Sequence, residues 1–369
     1  MRRIPFAKLL MALVALALAG YVAVVVTRHA TRHPAAAPPP STSAAPGSPG
    51  PHRSGPPVPF PPSGDVFLGV NTSQGPYDFG DVDRFTAATG YRPSVLQFAV
   101  GWAAHGFDRA AFDRVAGRGM LPLMSWEPWN YQETGPGSSH GVQPDYRLSR
   151  IVSGAFDDYI RTVADGIRGL DYPVAIRFAH EMNGFWYPWC EQSNGNKPGD
   201  YVQAWRHVHD IFTRAGVHNV IWVWSPNVSY AGSTPLRGLY PGDAYVDWVG
   251  LSGYYGTAGA TGYVSFDGIF DATLAELRQF TSRPVVVTET GATDAIGRKA
   301  DWIRQAFQQL PGHPDIIGVI WFEAVKELDW RVSSSPAASA IFRQGAAAPR
   351  YHVAWSPNSV PRTAPPAGG

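Results

Sequence analysis

Between Ile176 and Trp189 the chain places Arg177, His180, Glu181 and Asn183 directly after an apolar run, and follows them with Trp186, Tyr187 and Trp189. Pro173-Val174-Ala175-Ile176 has the character of a buried strand, and polar groups at its C-terminal end have the placement of an α/β-barrel active site. The aromatic side chains just beyond offer flat surfaces on which sugar rings stack. Cleavage of a glycosidic bond is the chemistry this combination suits, with Glu181 as its first candidate. Packing accounts for many single tryptophans, but the 186–189 cluster has polar, loop-forming neighbours.

A glycosidic bond is cleaved between two carboxyl groups, one donating a proton to the leaving oxygen and the other attacking or activating water. Strand candidates at 66–70, 95–98, 120–125, 174–178, 220–224, 248–252, 284–288 and 317–322 alternate with helix candidates at 81–89, 112–117, 156–167, 200–215, 270–280 and 299–310. Gly90, Gly117 and Gly216 stand where helices should stop. Eight such alternations predict an α/β fold, a single (β/α)8 TIM barrel. A doubly wound sheet shares the alternation, but no Gly-x-Gly-x-x-Gly follows the first strand. On the barrel, Glu181 ends the fourth strand and Glu289 the seventh, across the mouth from each other. Glu127 ends the third strand beside Trp126, and Glu323 ends the eighth. These carboxylates compete for substrate contact, with an ion pair to a loop Arg or Lys as the alternative role.

Composition narrows the partners. The net charge is +1, without a basic block in the globular part, so nucleic acid is not expected. The single cysteine, Cys190, excludes an internal disulfide and a Cys-rich zinc site, and no adjacent base activates it. His207 and His209 stand two apart on a helix and share no face, so neither a metal nor a cofactor is expected. A basic start, Met1-Arg2-Arg3, precedes an apolar run from Leu9 to Val26, long enough for a membrane anchor. Ala17-Leu18-Ala19 would serve a signal peptidase, leaving the alternative of a cleaved signal. Either reading places the rest outside the cytoplasm. The expected organisation is an anchor or signal at 1–30, a Pro/Ala/Ser-rich spacer at 31–64, a catalytic barrel at 65–344 and a Pro/Ala-rich tail at 345–369. Tyr351 and Trp355 are the tail residues able to dock on the barrel.

Arg177-x-x-His180-Glu181-Met182-Asn183-Gly184 with Trp186, then Trp224-Ser225-Pro226-Asn227 and Thr288-Glu289-Thr290-Gly291, resemble glycoside hydrolase family 26, the β-mannanase family. The resemblance runs over about 65–335. It implies a barrel that hydrolyses β-linked glycans with retention, Glu181 as acid/base and Glu289 as nucleophile. It further implies that His180 and Tyr254 orient the nucleophile, that Trp186 lies near the cleavage point, and that Trp321 is a platform under the sugar. Trp126, Glu127 and Asn183 join these as candidate substrate contacts. Ser252 stands where the family pattern has Asp, and Glu323 where Asn is commoner. The substrate expected is a β-linked polysaccharide or oligosaccharide, β-1,4-mannan first, cleaved internally by a monomer. Mixed-linkage β-1,3-1,4-glucan and β-1,3-xylan remain alternatives on the same frame. Another class of function, a non-catalytic glycan-binding or polysaccharide-assembly barrel, is disfavoured because both glutamates are present. Aldolase or oxidoreductase chemistry lacks a phosphate loop or a strand-end lysine; the nearest, Lys326, lies beyond the eighth strand.

Overall fold

The computed structural model describes residues 51–363, apart from 54, 105, 133–140 and 258. The expected anchor and most of the spacer lie outside the described residues. Among those described, no helix is long and apolar enough to cross a membrane.

Eight parallel strands close into a barrel: β2 (Phe67–Thr72), β3 (Val95–Gly101), β4 (Leu121–Glu127), β5 (Val174–Phe178), β6 (Val220–Trp224), β7 (Trp248–Tyr255), β8 (Val285–Ala292) and β9 (Ile316–Glu323). Pairing of Phe67–Thr72 with Gly318–Glu323 closes the ring. Every residue of β4, β5, β8 and β9 is buried, because the interior covers one face of the wall and the helices cover the other. Each of the eight strands matches its expected candidate to within a few residues.

The helical layer is amphipathic. Before β5, α4 (Asp157–Arg168) buries Ile160, Val163, Ala164 and Ile167, with Asp157 and Asp158 at its positive end and Arg168 at its negative end. After β5, α5 (Asp200–Arg214) buries Tyr201, Trp205, Val208 and Phe212. The other helices are α1 (Gly80–Thr89), α2 (Arg109–Gly117), α3 (Leu148–Val152), α6 (Leu236–Leu239), α7 (Phe266–Leu277), α8 (Lys299–Gln309) and α9 (Pro336–Ala346). Gly90 stops α1 with a φ of 71°. Gly117 does not end α2 by the same device: it is the last helical residue, and Gly119 takes the left-handed step at 74°.

Both ends of the described chain differ from the expected boundaries at 64 and 345. β1 (Val58–Phe60) pairs in parallel with β10 (Ser359–Pro361), and Phe60 stacks on Phe67 of the barrel at 5.2 Å. In the tail, Tyr351, Val353 and Trp355 are all buried, the alternation of a strand within a Pro/Ala-rich composition. Their segment is tied to the start of β3 by Tyr91 Oη donating to the Tyr351 carbonyl (2.8 Å) and Ser94 Oγ donating to that of Val353. Helix α9 was not foreseen, although Ser335 caps it at the Ala338 amide and Pro336 opens it. Trp355→Ala is therefore expected to cost about 3 kcal/mol in denaturant unfolding, as for other buried large-to-small changes. A change within about 0.5 kcal/mol, the usual range for surface positions, would place the tail outside the core.

Candidate active site

At the strand C-terminal ends the barrel interior is organised around Arg177, which is 1% exposed. Its Nε donates to Ser225 Oγ (2.9 Å), its Nη2 to Ser252 Oγ (2.7 Å) and its Nη1 to Ser125 Oγ at a longer 3.4 Å. The same Nη1 lies 2.9 Å from Glu289 Oε2. Ser252, where the family pattern has Asp, thus supplies a neutral acceptor to the guanidinium. Tyr254 Oη donates to the other oxygen, Glu289 Oε1, at 2.6 Å. Burial, then the charge of Glu289, holds the Tyr254 hydroxyl well above its usual range, so it stays a donor.

A bulge in the wall aims Glu289. The β7–β8 register moves from Leu251 opposite Val287 to Ser252 opposite Glu289, so Thr288 is the additional residue. Successive strand residues ordinarily face opposite ways. Here Thr288 Oγ1 lies 2.8 Å from Ser225 Oγ while Glu289 meets Arg177, so both side chains reach the polar interior.

Glu181 stands in a strained turn after β5, with φ of 44° at Ala179 and 54° at Glu181 itself. The turn is held by its neighbours. Ala179 N donates to the Trp126 carbonyl (3.0 Å), Glu181 N to that of Ser225 (2.7 Å), and Trp189 Nε1 to that of His180 (2.6 Å). Trp186 Nε1 donates to Glu181 Oε2 at 3.0 Å. The Glu181 carboxyl is raised above the ordinary carboxylate range, by burial first and by the Glu289 charge second, against the pull of Arg177. It can therefore hold a proton in water that would strip an ordinary glutamate.

The remaining expected residues separate into two groups. Glu127 and His180 are at the mouth. Glu127 Oε2 accepts from Trp129 Nε1 (2.8 Å), and burial pushes its carboxyl up to about 7. His180 is held well below its ordinary value by burial and then by Arg177, so the imidazole is neutral; its 4.0 Å approach to Glu127 is not a charge pair. No contact joins His180 to Glu289; Arg177 and Tyr254 hold the carboxylate instead.

Trp126, Asn183 and Trp321 are corrections. Trp126 points outward, packed on Trp102 and Phe212 with its Nε1 donating to Tyr159 Oη, while Ser125 and Glu127 on either side face in. Trp321 also faces outward, between Trp302 of α8 and Phe342 of α9, with its Nε1 donating to the Trp330 carbonyl. Phe322 takes the opposite side, its ring 6.1 Å from that of Tyr254. Asn183 is fully buried and clamps two loops: its Nδ2 donates to the Asn227 carbonyl and its Oδ1 accepts from the Asn227 amide, both at 2.9 Å. Glu323 likewise caps the Val332 and Ser333 amides.

The sequence pattern gives Ser225 and Ser252 no role of their own in the site, and it assigns Asp329-Trp330-Arg331 in the loop after β9 to structure before substrate. That loop carries Lys326, 5.7 Å above the Phe322 ring, and Trp330, whose ring is 4.8 Å from Tyr254. A legible signal existed for Arg177: a charged residue inside an otherwise apolar strand requires a buried partner. Among the described residues, one group could hold a metal ion, Asp267, Asp271 and His313 in the outer layer, where His313 already meets Asp267 at 2.9 Å.

The sequence profile described as glycosyl hydrolase family 26 matches residues 148–331, the span that carries Arg177, Glu181, Tyr254 and Glu289. The chain belongs to glycosyl hydrolase family 26. Endoglucanase H of Acetivibrio thermocellus is 30% identical over 77% of the chain, which spans only 32% of that relative's length. A mannan endo-1,4-beta-mannosidase of Bacillus subtilis is 26% identical, over 76% of each chain. In fold, the chain is similar to a Bacillus subtilis mannanase (TM-score 0.54, 23% identity, 80% of this chain and 87% of that one). A Cellulomonas fimi endo-beta-1,4-mannanase gives a TM-score of 0.59 at 19% identity, over 79% and 73%.

The raised Glu127 carboxyl has a consequence for this family 26 barrel. A glutamate whose folded value exceeds its unfolded value adds stability fully below the unfolded value, and that stability is lost as pH rises through the folded one. With about 7 against the usual 4.5, the loss between pH 4.5 and 7 is roughly 3 kcal/mol. Glu127→Gln should remove most of this dependence, so urea unfolding of the variant should weaken less than wild type between pH 5 and pH 8. Parallel pH dependences would show that Glu127 is not the group responsible.

Proposed function

We propose that this family 26 chain is an endo-acting, retaining glycoside hydrolase of β-linked polysaccharide, with β-1,4-mannan its first substrate. The observation that carries the reading is the unequal pair at the mouth. Glu181 is biased toward its protonated form, and Glu289 lies between a guanidinium and a tyrosine hydroxyl. Trp186 fixes the Glu181 carboxyl through Oε2, and that carboxyl delivers its proton to the glycosidic oxygen. Glu289 then attacks the anomeric carbon as the bond to the leaving oxygen breaks and Glu181 transfers its proton. The glycosyl ester on Glu289 is hydrolysed by a water that Glu181, now ionised, deprotonates. Two inversions give net retention.

The mannanase relatives support mannan. The endoglucanase, 30% identical over 77% of this chain, supports a second reading, a β-glucan on the same catalytic frame. A panel of β-mannan, mixed-linkage β-glucan and β-1,3-xylan, with product lengths followed over time, tests substrate and endo action together. Release of mid-length manno-oligosaccharides is expected, and turnover of glucan alone would replace the first reading by the second.

Glu289→Ala should abolish turnover, with azide restoring some reaction to an inverted product. Glu181→Ala should lose polysaccharide activity yet spare aryl glycosides, whose leaving groups need no proton. Near-normal activity of both variants on polymer would refute the assignment.

A further inference from the structure

Outside the barrel wall, beside the mouth, lies a cleft of 270 Å³ that the catalytic account leaves unused. Phe98 and Met124 project outward from β3 and β4 to form its floor with Phe112 and Trp126, and all four are buried. Its rim is open. Tyr77 is 61% exposed, and Gly106 and Asp108 are exposed beside it. A packing flaw between helix and wall would be small, dry and closed on all sides. This cleft has the volume of about nine water molecules, the scale of a monosaccharide, and opens at a rim that carries an aromatic ring and a carboxylate.

The rim chemistry is that of sugar recognition. A pyranose presents C–H groups on its faces and hydroxyl groups around its edge. An exposed tyrosine offers the first a stacking surface at low entropic cost, and a carboxylate accepts hydrogen bonds from the second. Tyr77 and Asp108 line the same cleft, so platform and acceptor act on one bound ring. Asp108 is itself fixed, since its Oδ1 caps α2 at the Ala111 amide.

Tyr131 links the cleft to the mouth. Its ring packs so closely on Gly101, at the end of β3, that a side chain there would collide with it. It lies within electrostatic reach of both Tyr77 and Glu127. Gly101 pairs with Glu127 across β3 and β4, so Tyr131 stands at the edge of the mouth, and Tyr77 stands on the cleft. Aromatic rings at both places suit an extended polymer better than an unrelated small molecule.

We propose that this cleft is a second glycan-binding site, holding a pyranose unit of the β-linked polysaccharide against Tyr77 and Asp108 while the chain is cut at Glu181 and Glu289. This deepens the hydrolase reading and rests on it for the identity of the ligand. The site contributes to capture of long chains and not to the chemical step.

Tyr77→Ala in the full-length protein tests it. KM on the polysaccharide should rise roughly three- to tenfold, the scale of one aromatic contact, with kcat little changed. Hydrolysis of a short aryl glycoside should be unaffected, and Tyr77→Phe, which keeps the ring, should restore most of the polymer affinity. An unchanged KM on polymer overturns the proposal. Equal losses on polymer and aryl glycoside overturn it too, because they would make Tyr77 a folding residue. Affinity electrophoresis in β-mannan and β-glucan gels separates failure of this site from failure of the hydrolase reading. Inactive Glu289→Ala protein should be retarded, and adding Tyr77→Ala should reduce the retardation. If the single and double variants migrate alike, the cleft does not bind glycan, whatever the catalytic assays give.

Discussion

The buried guanidinium of Arg177 is the constraint on which the rest of the site depends. Moving a cation out of water costs several kcal/mol even after relaxation, and only a well-placed anion with further hydrogen bonds recovers it. The barrel supplies one carboxylate, Glu289, and three serine hydroxyls from β4, the end of β6 and β7. The arginine consequently ties four parts of the wall to one point near the barrel axis. Glu289 is held there with an orientation that attack on an anomeric carbon needs, and preorganisation of that kind is a large part of catalysis.

Two departures from regular backbone complete the arrangement. The bulge at Thr288 lets two successive residues of β8 face inward, and the turn at Ala179 and Glu181 accepts left-handed φ without glycine. Each left-handed residue costs of order 1–3 kcal/mol, so the surroundings must over-determine the conformation. They do so through backbone bonds from Trp126 and Ser225, the indole of Trp189 and the loop clamp made by Asn183. Buried residues that never touch a sugar thus fix the position of the proton donor. The two carboxylates then set each other's behaviour, because the charge on Glu289 helps keep the proton on Glu181.

Much of this was legible in the sequence, and the exceptions have physical causes. Buried parallel strands announce themselves as apolar runs, so the eight barrel strands, and the carboxylates at the ends of four of them, could be located. Which parity faces inward is another matter. At 126–127 and 321–322 the sequence offers large side chains on both parities, and period-two alternation assigns neither to the interior. Trp126 and Trp321 were placed at the mouth, but both fill the space between wall and helices. Asn183 has the composition of a sugar ligand, yet its bonds go to a neighbouring loop, and long-range backbone partners leave no local trace. The tail's Pro/Ala-rich composition concealed three alternating apolar side chains that are buried where the segment is tied to Tyr91 and Ser94 ahead of β3.

The central claim is that Glu289, held by Arg177 and Tyr254, forms a covalent bond to the substrate. Incubation with a fluorinated, slow-turnover glycoside that accumulates the intermediate, followed by intact-mass measurement and peptide mapping, tests it most directly. The account expects one glycosyl adduct per chain, on the peptide that contains Glu289, and its disappearance on reactivation with an acceptor sugar. An adduct on Glu127, Glu181 or Glu323 would contradict it. So would inverted products formed by an enzyme that never accumulates an adduct.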